Sequence, residues 1–129
     1  MVSTVEVLHS IYSDSALIIF KTVATQSIDS KTLKSKTRLT RKQYYSAIYK
    51  LTRASLLQRR GGKYGLTTLG EIVYNSLNLI ENGIDIYWKL KTIDALKASE
   101  SNMPTSEHKN LIDTLIEDKQ IKEIIVKKW

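Results

Sequence analysis

The chain has 129 residues, of which 42% are hydrophobic and 26% charged. These values suit one globular domain with a small appendage and argue against disorder throughout. The formal net charge is +7, and the absence of cysteine excludes disulfides, thiolate metal sites and cysteine nucleophiles. No apolar run approaches the roughly 18 residues that a membrane-spanning helix needs, and the first residues lack a secretory-signal pattern. We therefore expect a cytoplasmic protein with no membrane partner.

The first quarter of the chain predicts a helix between two less regular segments. Residues 1–13 carry a loose apolar pattern that fits either a short helix or an extended arm. Ser13 or Asp14 can cap a helix that runs to about Gln26, since apolar residues recur there at helical spacing. Residues 27–30 then break the pattern and predict an edge strand or an extended connection.

Two further helices follow, and the second has the clearest start in the sequence. Ser30 can cap a short helix over 30–36, and a tight connection leads to a helix over 40–54. Thr40 and Gln43 have the spacing of a capping box, in which each side chain bonds a free backbone N–H. One face of this helix is apolar: Tyr44, Ala47, Ile48 and Leu51.

A hairpin and a long helix complete the predicted elements. Gly61-Gly62 between two short runs, 56–60 and 63–66, predicts a tight turn. Thr67 or Thr68 can cap the next helix, and Thr68 with Glu71 again has capping-box spacing. Apolar residues at helical spacing predict one helix over 68–97, about 45 Å long at 1.5 Å per residue if unbroken. Asn82-Gly83 is the expected bend, 99–105 a loop, and 106–129 one or two helices, the second capped by Asp118.

This order of elements predicts a mainly α-helical chain with a small β-hairpin, the α+β winged-helix class. A winged helix-turn-helix domain over 1–98, including the long helix, would be followed by a C-terminal helical extension over 99–129.

One segment of the chain is strongly basic. Lys31 to Tyr64 contains eleven lysines and arginines and no carboxylate, whereas the other nine of the 20 cations and all 13 carboxylates lie outside it. Such a segment predicts a positive surface that faces a polyanion. The alternative is a solvated lysine face, but solvated faces normally mix the two signs.

The helix over 40–54 has the construction of a helix that enters the DNA major groove, with an apolar inner face and hydrogen-bond donors outside. Arg41 can bind guanine O6 and N7, and Gln43 can bind adenine unless the capping box occupies it. The glycine turn lets flanking cations approach the phosphates or the minor groove. The predicted DNA-binding residues are Arg38, Arg41, Lys42, Gln43, Tyr45, Ser46, Tyr49, Arg53, Arg59, Arg60 and Lys63.

The stretch LTRKQYYSAIYKLTRASLLQRRGGKYGLTTLGEIVY resembles archaeal winged helix-turn-helix transcriptional regulators of the MarR/ArsR-like group. The pattern covers about residues 37–75, and with the neighbouring helices the resemblance spans about 14–98. It implies sequence-dependent binding of double-stranded DNA, usually as a homodimer. One departure is Ser55, where a glycine often ends the recognition helix in such sequences.

The long helix is apolar on more than one side, which predicts burial on more than one side. We expect a homodimer interface at Ile84, Tyr87, Trp88 and Lys91, with the two aromatic residues as anchors. The C-terminal extension could contribute to the dimer, or its helices could cover this surface within one chain. A twofold dimer would place two recognition helices about one DNA turn apart and predict a palindromic site.

No catalytic, phosphate-binding or metal-ligating motif is present, so we expect no enzyme, cofactor or metal. Two other functions fit the pattern. The chain could be a protein-interaction winged-helix module of a transcription or replication assembly, whose basic face meets an acidic partner. It could also bind single-stranded nucleic acid with Tyr44, Tyr45 and Tyr49 as stacking platforms.

Overall fold

A computed structural model of the protein describes residues 1–98 and 105–128. Within these ranges the chain is mainly helical, with eight helices and one small three-stranded antiparallel sheet. The chain divides into two compact units, 1–75 and 76–129. The division expected between residues 98 and 99 therefore falls inside the second unit, and the expected loop over 99–105 lies outside the described residues except for Thr105, which begins a helix.

The first unit contains four complete helices, the sheet and the start of a fifth helix. In chain order these elements are α1 (Thr4–Ser10), α2 (Asp14–Thr25), β1 (Ile28–Asp29), α3 (Ser30–Thr37), α4 (Arg41–Arg53), β2 (Leu57–Arg60), β3 (Lys63–Leu66) and α5 (Thr68–Asp85), which continues past residue 75. Residues 1–13 thus hold a short helix, and the predicted edge strand and both hairpin strands are present.

The core of the first unit forms where α2 packs against α3 and α4. Its residues recur every three or four positions along α2 and α4, so that each helix turns one apolar stripe inward. The buried side chains are Ala16, Ile19, Phe20 and Val23 of α2, Leu33 of α3, and Tyr44, Ala47, Ile48 and Leu51 of α4. The predicted apolar face of α4 is therefore confirmed.

Side-chain caps define the helix starts in the first unit. Ser13 caps α2, and Thr40 and Gln43 form the predicted capping box of α4. The prediction that Ser30 caps α3 was wrong. Asp29 is the cap, because its carboxylate accepts hydrogen bonds from the Thr32 N–H at 2.8 Å and the Thr32 hydroxyl at 3.0 Å.

Two other boundaries depend on residues next to the hairpin. Helix α4 ends at Arg53 with Ala54 as its C-cap, and Ser55 adopts a left-handed conformation with φ of 65°, the conformation for which glycine is usual. The cap of α5 is Thr67 rather than Thr68, since the Thr67 hydroxyl accepts a bond from the Gly70 N–H at 2.9 Å. The capping box predicted for Thr68 and Glu71 is thus replaced by the hydrogen bond between the Gly70 N–H and the Thr67 hydroxyl.

The sheet has the strand order β1–β3–β2. In the hairpin, Arg59 lies opposite Tyr64 and Arg60 lies opposite Lys63. Gly61 and Gly62 form the turn with φ values of 57° and 78°, as the primed turns of two-residue hairpins require. Strand β1 extends the sheet on the other side of β3, where Ile28 pairs with Tyr64.

The described residues of the second unit are helical except at Ile86 and residues 116–118. Besides the end of α5 it contains α6 (Tyr87–Ala98), α7 (Thr105–Leu115) and α8 (Lys119–Lys128). The expectation of one helix over 68–97 was wrong, because α5 ends at Asp85 and the interruption is at Ile86, not at Asn82-Gly83. Asp118 caps α8 as expected, accepting the Ile121 N–H at 3.1 Å. The core consists of Ile93, Ile112, Ile116 and Ile121, with Leu79, Ile86, Leu90, Leu115 and Ile125 packed against it.

Candidate nucleic-acid interface

The eleven cations of the basic segment lie on α3, on α4 and its preceding turn, and on the β2–β3 hairpin. Lys34 is partly buried and the other ten are exposed. Within residues 1–98 and 105–128 none of the eleven forms a salt bridge with a carboxylate. This surface is here called the basic face. Two carboxylates from outside the segment border it, since Asp29 lies opposite Lys63 in the sheet and Glu71 lines the same cleft as Arg60 and Lys63. The eleven cations outnumber these two carboxylates, so the basic face can attract an anionic partner.

Helix α4 presents its polar side to solvent. Arg41, Lys42, Ser46 and Arg53 are all exposed, opposite the stripe that packs on α2. Gln43 is exposed too, but its Oε1 accepts a hydrogen bond from the Thr40 backbone N–H at 3.0 Å. The capping box therefore uses the oxygen that a two-bond contact with adenine would need.

The three tyrosines of α4 divide between the core and the surface. Tyr44 is 1% exposed, and its hydroxyl lies 2.9 Å from the Ser30 hydroxyl. Burial raises the pKa of Tyr44, and the hydrogen bond with Ser30 opposes that rise. Tyr44 is thus a core residue and offers no stacking surface, whereas Tyr45 and Tyr49 are 46% and 62% exposed.

Cations hold the two exposed tyrosines in place. Lys34 donates a hydrogen bond to the Tyr45 hydroxyl, and its ammonium lies 4.5 Å from the centre of that ring. This hydrogen bond and the charge of Lys34 lower the pKa of Tyr45, and Arg41 adds to the effect. One turn further, Arg53 donates to the Tyr49 hydroxyl at 3.1 Å, with its guanidinium 6.0 Å from the ring centre.

The hairpin places its cations on two different faces. Successive residues of a strand point to opposite sides, and cross-strand partners share a side. Arg59 therefore shares a face with Tyr64, whose ring centre is 5.4 Å from its guanidinium. Arg60 and Lys63 share the other face, where they border an open cleft of about 550 Å³. Arg59, Arg60 and Lys63 were predicted from the sequence as one set of DNA contacts. In the structure the side chain of Arg59 lies on the opposite face of the hairpin from those of Arg60 and Lys63.

Tyr64 is not among the DNA-binding residues predicted from the sequence, but it belongs to this surface. Together with Arg59 it forms one wall of a groove of about 540 Å³, and α4 supplies the opposite wall through Tyr45, Ile48, Tyr49 and Thr52. The alternation of residues along β3 could have indicated Tyr64, because a residue opposite an arginine in a two-residue hairpin must share its face.

The predicted dimer residues lie in the second unit. Ile84, Tyr87 and Trp88 are 66%, 52% and 76% exposed. The rings of Tyr87 and Trp88 meet edge to face, with centres 5.6 Å apart. The Lys91 ammonium lies 5.5 Å from the first ring and 5.8 Å from the second, so Tyr87, Trp88 and Lys91 form one exposed cluster.

Comparison of the chain with protein-family models, with curated proteins and with solved structures finds no match. The described part of the chain has no group of three or more histidine, aspartate or glutamate side chains that could hold a metal ion. No helix of residues 1–98 and 105–128 combines the length and the hydropathy needed to cross a membrane.

Proposed function

We propose that the first unit is a winged helix-turn-helix domain and that the protein is a transcriptional regulator that binds double-stranded DNA. The observation that carries this proposal is the basic face, to which a segment with eleven cations and no carboxylate contributes α3, the exposed side of α4 and the hairpin. An α-helix fits a major groove about 12 Å wide.

In this proposal α4 is the recognition helix. The buried stripe of Tyr44, Ala47, Ile48 and Leu51 fixes its orientation, so that its outer side enters the groove as a rigid element. Arg41, in the first turn, binds a guanine edge, while Lys42, Ser46 and Arg53 contact bases or phosphates. Because Gln43 serves the capping box, we assign it no base contact.

The hairpin is the wing. Its turn can approach the DNA backbone closely, since nothing lies within 4 Å of the position that a Cβ atom would take at Gly61 or Gly62. Arg60 and Lys63 then neutralise phosphates on one face of the hairpin, and Arg59 does so on the face towards α4.

Fluorescence anisotropy of a labelled duplex pool, titrated over salt and compared with single strands of matched length, tests the proposal. We expect preference for the duplex and a steep salt dependence. Arg60→Ala should lower the slope of log affinity against log salt by about one. Lys109→Ala, which removes an exposed lysine far along the chain, is the matched control and should leave the slope unchanged.

Once a preferred site has been selected, Arg41→Ala should weaken binding to it by about 1–3 kcal/mol and relax specificity at one base pair. Weak, salt-insensitive binding of all duplexes would contradict the proposal. It would favour the alternative, in which the basic face docks on an acidic protein of a transcription or replication assembly.

We also propose that two copies of the chain pair through the exposed residues Ile84, Tyr87, Trp88 and Lys91. The support for this is the exposure of three large apolar side chains that are close in sequence, since water disfavours such exposure and a second copy would cover them. Light scattering after size exclusion should give twice the monomer mass, and Trp88→Glu should halve it. Tyr12→Glu, at an 85% exposed tyrosine of the first unit, should leave the mass unchanged. A wild-type monomer at high micromolar concentration would contradict the pairing.

A further inference from the structure

The groove between α4 and the hairpin combines two properties that a purely electrostatic DNA contact does not need. Its lining is mostly apolar and aromatic, with the rings of Tyr45, Tyr49 and Tyr64 around Ile48 and Thr52. It also lies within the most basic surface of the chain. A solvated face gains nothing from exposed tyrosine rings, so this composition indicates a ligand that is both flat and anionic.

Each ring of the groove is accompanied by a cation on the same surface. Lys34 and Arg41 lie 4.5 and 5.8 Å from the centre of the Tyr45 ring. The corresponding distances are 6.0 Å from Arg53 to Tyr49 and 5.4 Å from Arg59 to Tyr64. These contacts hold the rings in position, so that stacking on them requires little further ordering. They also place positive charge within about 6 Å of each ring, which favours an anionic group on any ligand that stacks there.

We propose that this groove binds one unpaired nucleobase together with its phosphate, so that the protein prefers duplex DNA that carries an unstacked base. The inference rests on the proposed function and specifies which DNA the same surface selects. A nucleobase has an apolar face for the tyrosine rings, and its phosphate meets the arginines. Bases inside an intact duplex are already stacked and cannot reach the groove, whereas a base that has left the stack can enter it.

Three labelled duplexes of the same sequence test the proposal by anisotropy. The first is fully paired, the second has one extra thymine, and the third has an abasic site in place of that thymine. The second and third share the same backbone bulge, so they differ only in the base. We expect the thymine bulge to bind about tenfold more tightly than the abasic bulge, within the range of about five- to 150-fold that is typical of base–aromatic stacking.

Variants of the exposed Tyr49 test whether the groove causes the preference for the thymine bulge over the abasic bulge. Tyr49→Leu should bring the two bulged duplexes to equal affinity, whereas Tyr49→Phe, which keeps the ring, should retain the preference. Tyr12→Leu, at an exposed tyrosine outside the groove, should also retain it. Circular dichroism checks that the variants fold, and Tyr49 is exposed enough for its replacement to leave the core intact.

The outcomes separate this inference from the proposed function. Tight binding of the paired duplex with equal affinity for the two bulges overturns the inference and leaves the proposed function standing. A thymine preference that survives Tyr49→Leu also overturns it, because the base would then bind elsewhere. If no duplex binds, the proposed function falls and the inference falls with it.

Discussion

Replacing Gly70 by alanine should destabilise the first unit, although alanine is the better helix former. Gly70 is buried in the first turn of α5, and a Cβ atom there would lie 2.3 Å from the Leu56 carbonyl oxygen and 3.3 Å from the Leu66 Cβ. Real Cβ atoms essentially never approach a neighbour within 3.0 Å, and the closest neighbour here is backbone, which cannot rotate away. The start of α5 must therefore move away from the hairpin.

That movement threatens the bonds that join α5 to the hairpin. The Leu56 carbonyl accepts the Thr67 N–H at 3.0 Å, and the Thr67 hydroxyl caps α5 through the Gly70 N–H. Overpacking of this kind lowers the free energy of unfolding by about 1–3 kcal/mol, and the contact with backbone places this site at the upper end of that range. The higher helix propensity of alanine offsets about 1 kcal/mol of this loss. We expect a net loss of about 2 kcal/mol, or about 10 °C in Tm for a unit of this size.

Urea unfolding followed by far-ultraviolet circular dichroism measures the effect. Gly83→Ala is the matched control in the same helix, since nothing lies within 4 Å of a Cβ atom there. It should raise the free energy of unfolding by about 0.5–1 kcal/mol. If Gly70→Ala were as stable as the parent, the close approach of α5 to Leu56 would be refuted.

Three further predictions concern the basic face and its supports. Thr40→Ala removes the capping box of α4 and should cost about 1 kcal/mol in urea unfolding; an unchanged midpoint would mean that the box is not formed in solution. Hydrogen bonds from Thr32 lower the folded-state pKa of Asp29 below its ordinary 3.8. This carboxylate therefore stabilises the fold above that pH, and the contribution disappears as pH falls through the lower folded value. Asp29→Asn, which can still cap α3, should flatten acid unfolding in this range, and an identical acid profile would contradict the assignment. Lys34→Met should raise the pKa of Tyr45 towards 10.0 in a spectrophotometric titration. An unchanged pKa would show that Lys34 does not contact Tyr45 in solution.

Sequence patterns predicted the elements that depend on neighbouring residues. The capping box of Thr40 and Gln43 spans three positions, and the two glycines of the hairpin turn are adjacent. The apolar stripe of α4 follows from helical spacing alone. Three predictions from the sequence stay predictions: the winged-helix class, the DNA contacts and the dimer. Local features such as caps and turns do not test them, because they concern the fold class or binding partners.

Long-range contacts decided the features that the sequence missed. Ser30 and Asp29 are adjacent and both can cap a helix, but the Tyr44 hydroxyl, 14 residues away, pairs with Ser30 and Asp29 takes the cap. The predicted long helix is interrupted at Ile86, an apolar residue packed on the core of the second unit. Because this residue is neither glycine nor proline, the sequence gives no local signal for the interruption. Tyr64 was missed because its role depends on the strand register.

Because successive residues of a strand point to opposite faces, the number of residues in each hairpin strand decides which face each cation occupies. Arg59 and Arg60 are neighbours in sequence but lie on opposite faces, so inserting or deleting one residue within β2 would exchange them. Arg60 would then face α4 across from Tyr49, and Arg59 would face the cleft. Changes of two residues preserve the faces and only move the turn further from or closer to the rest of the unit. Variants of this hairpin should therefore tolerate lengthening in pairs of residues per strand, whereas single insertions should disrupt the basic face even where the hairpin itself still forms.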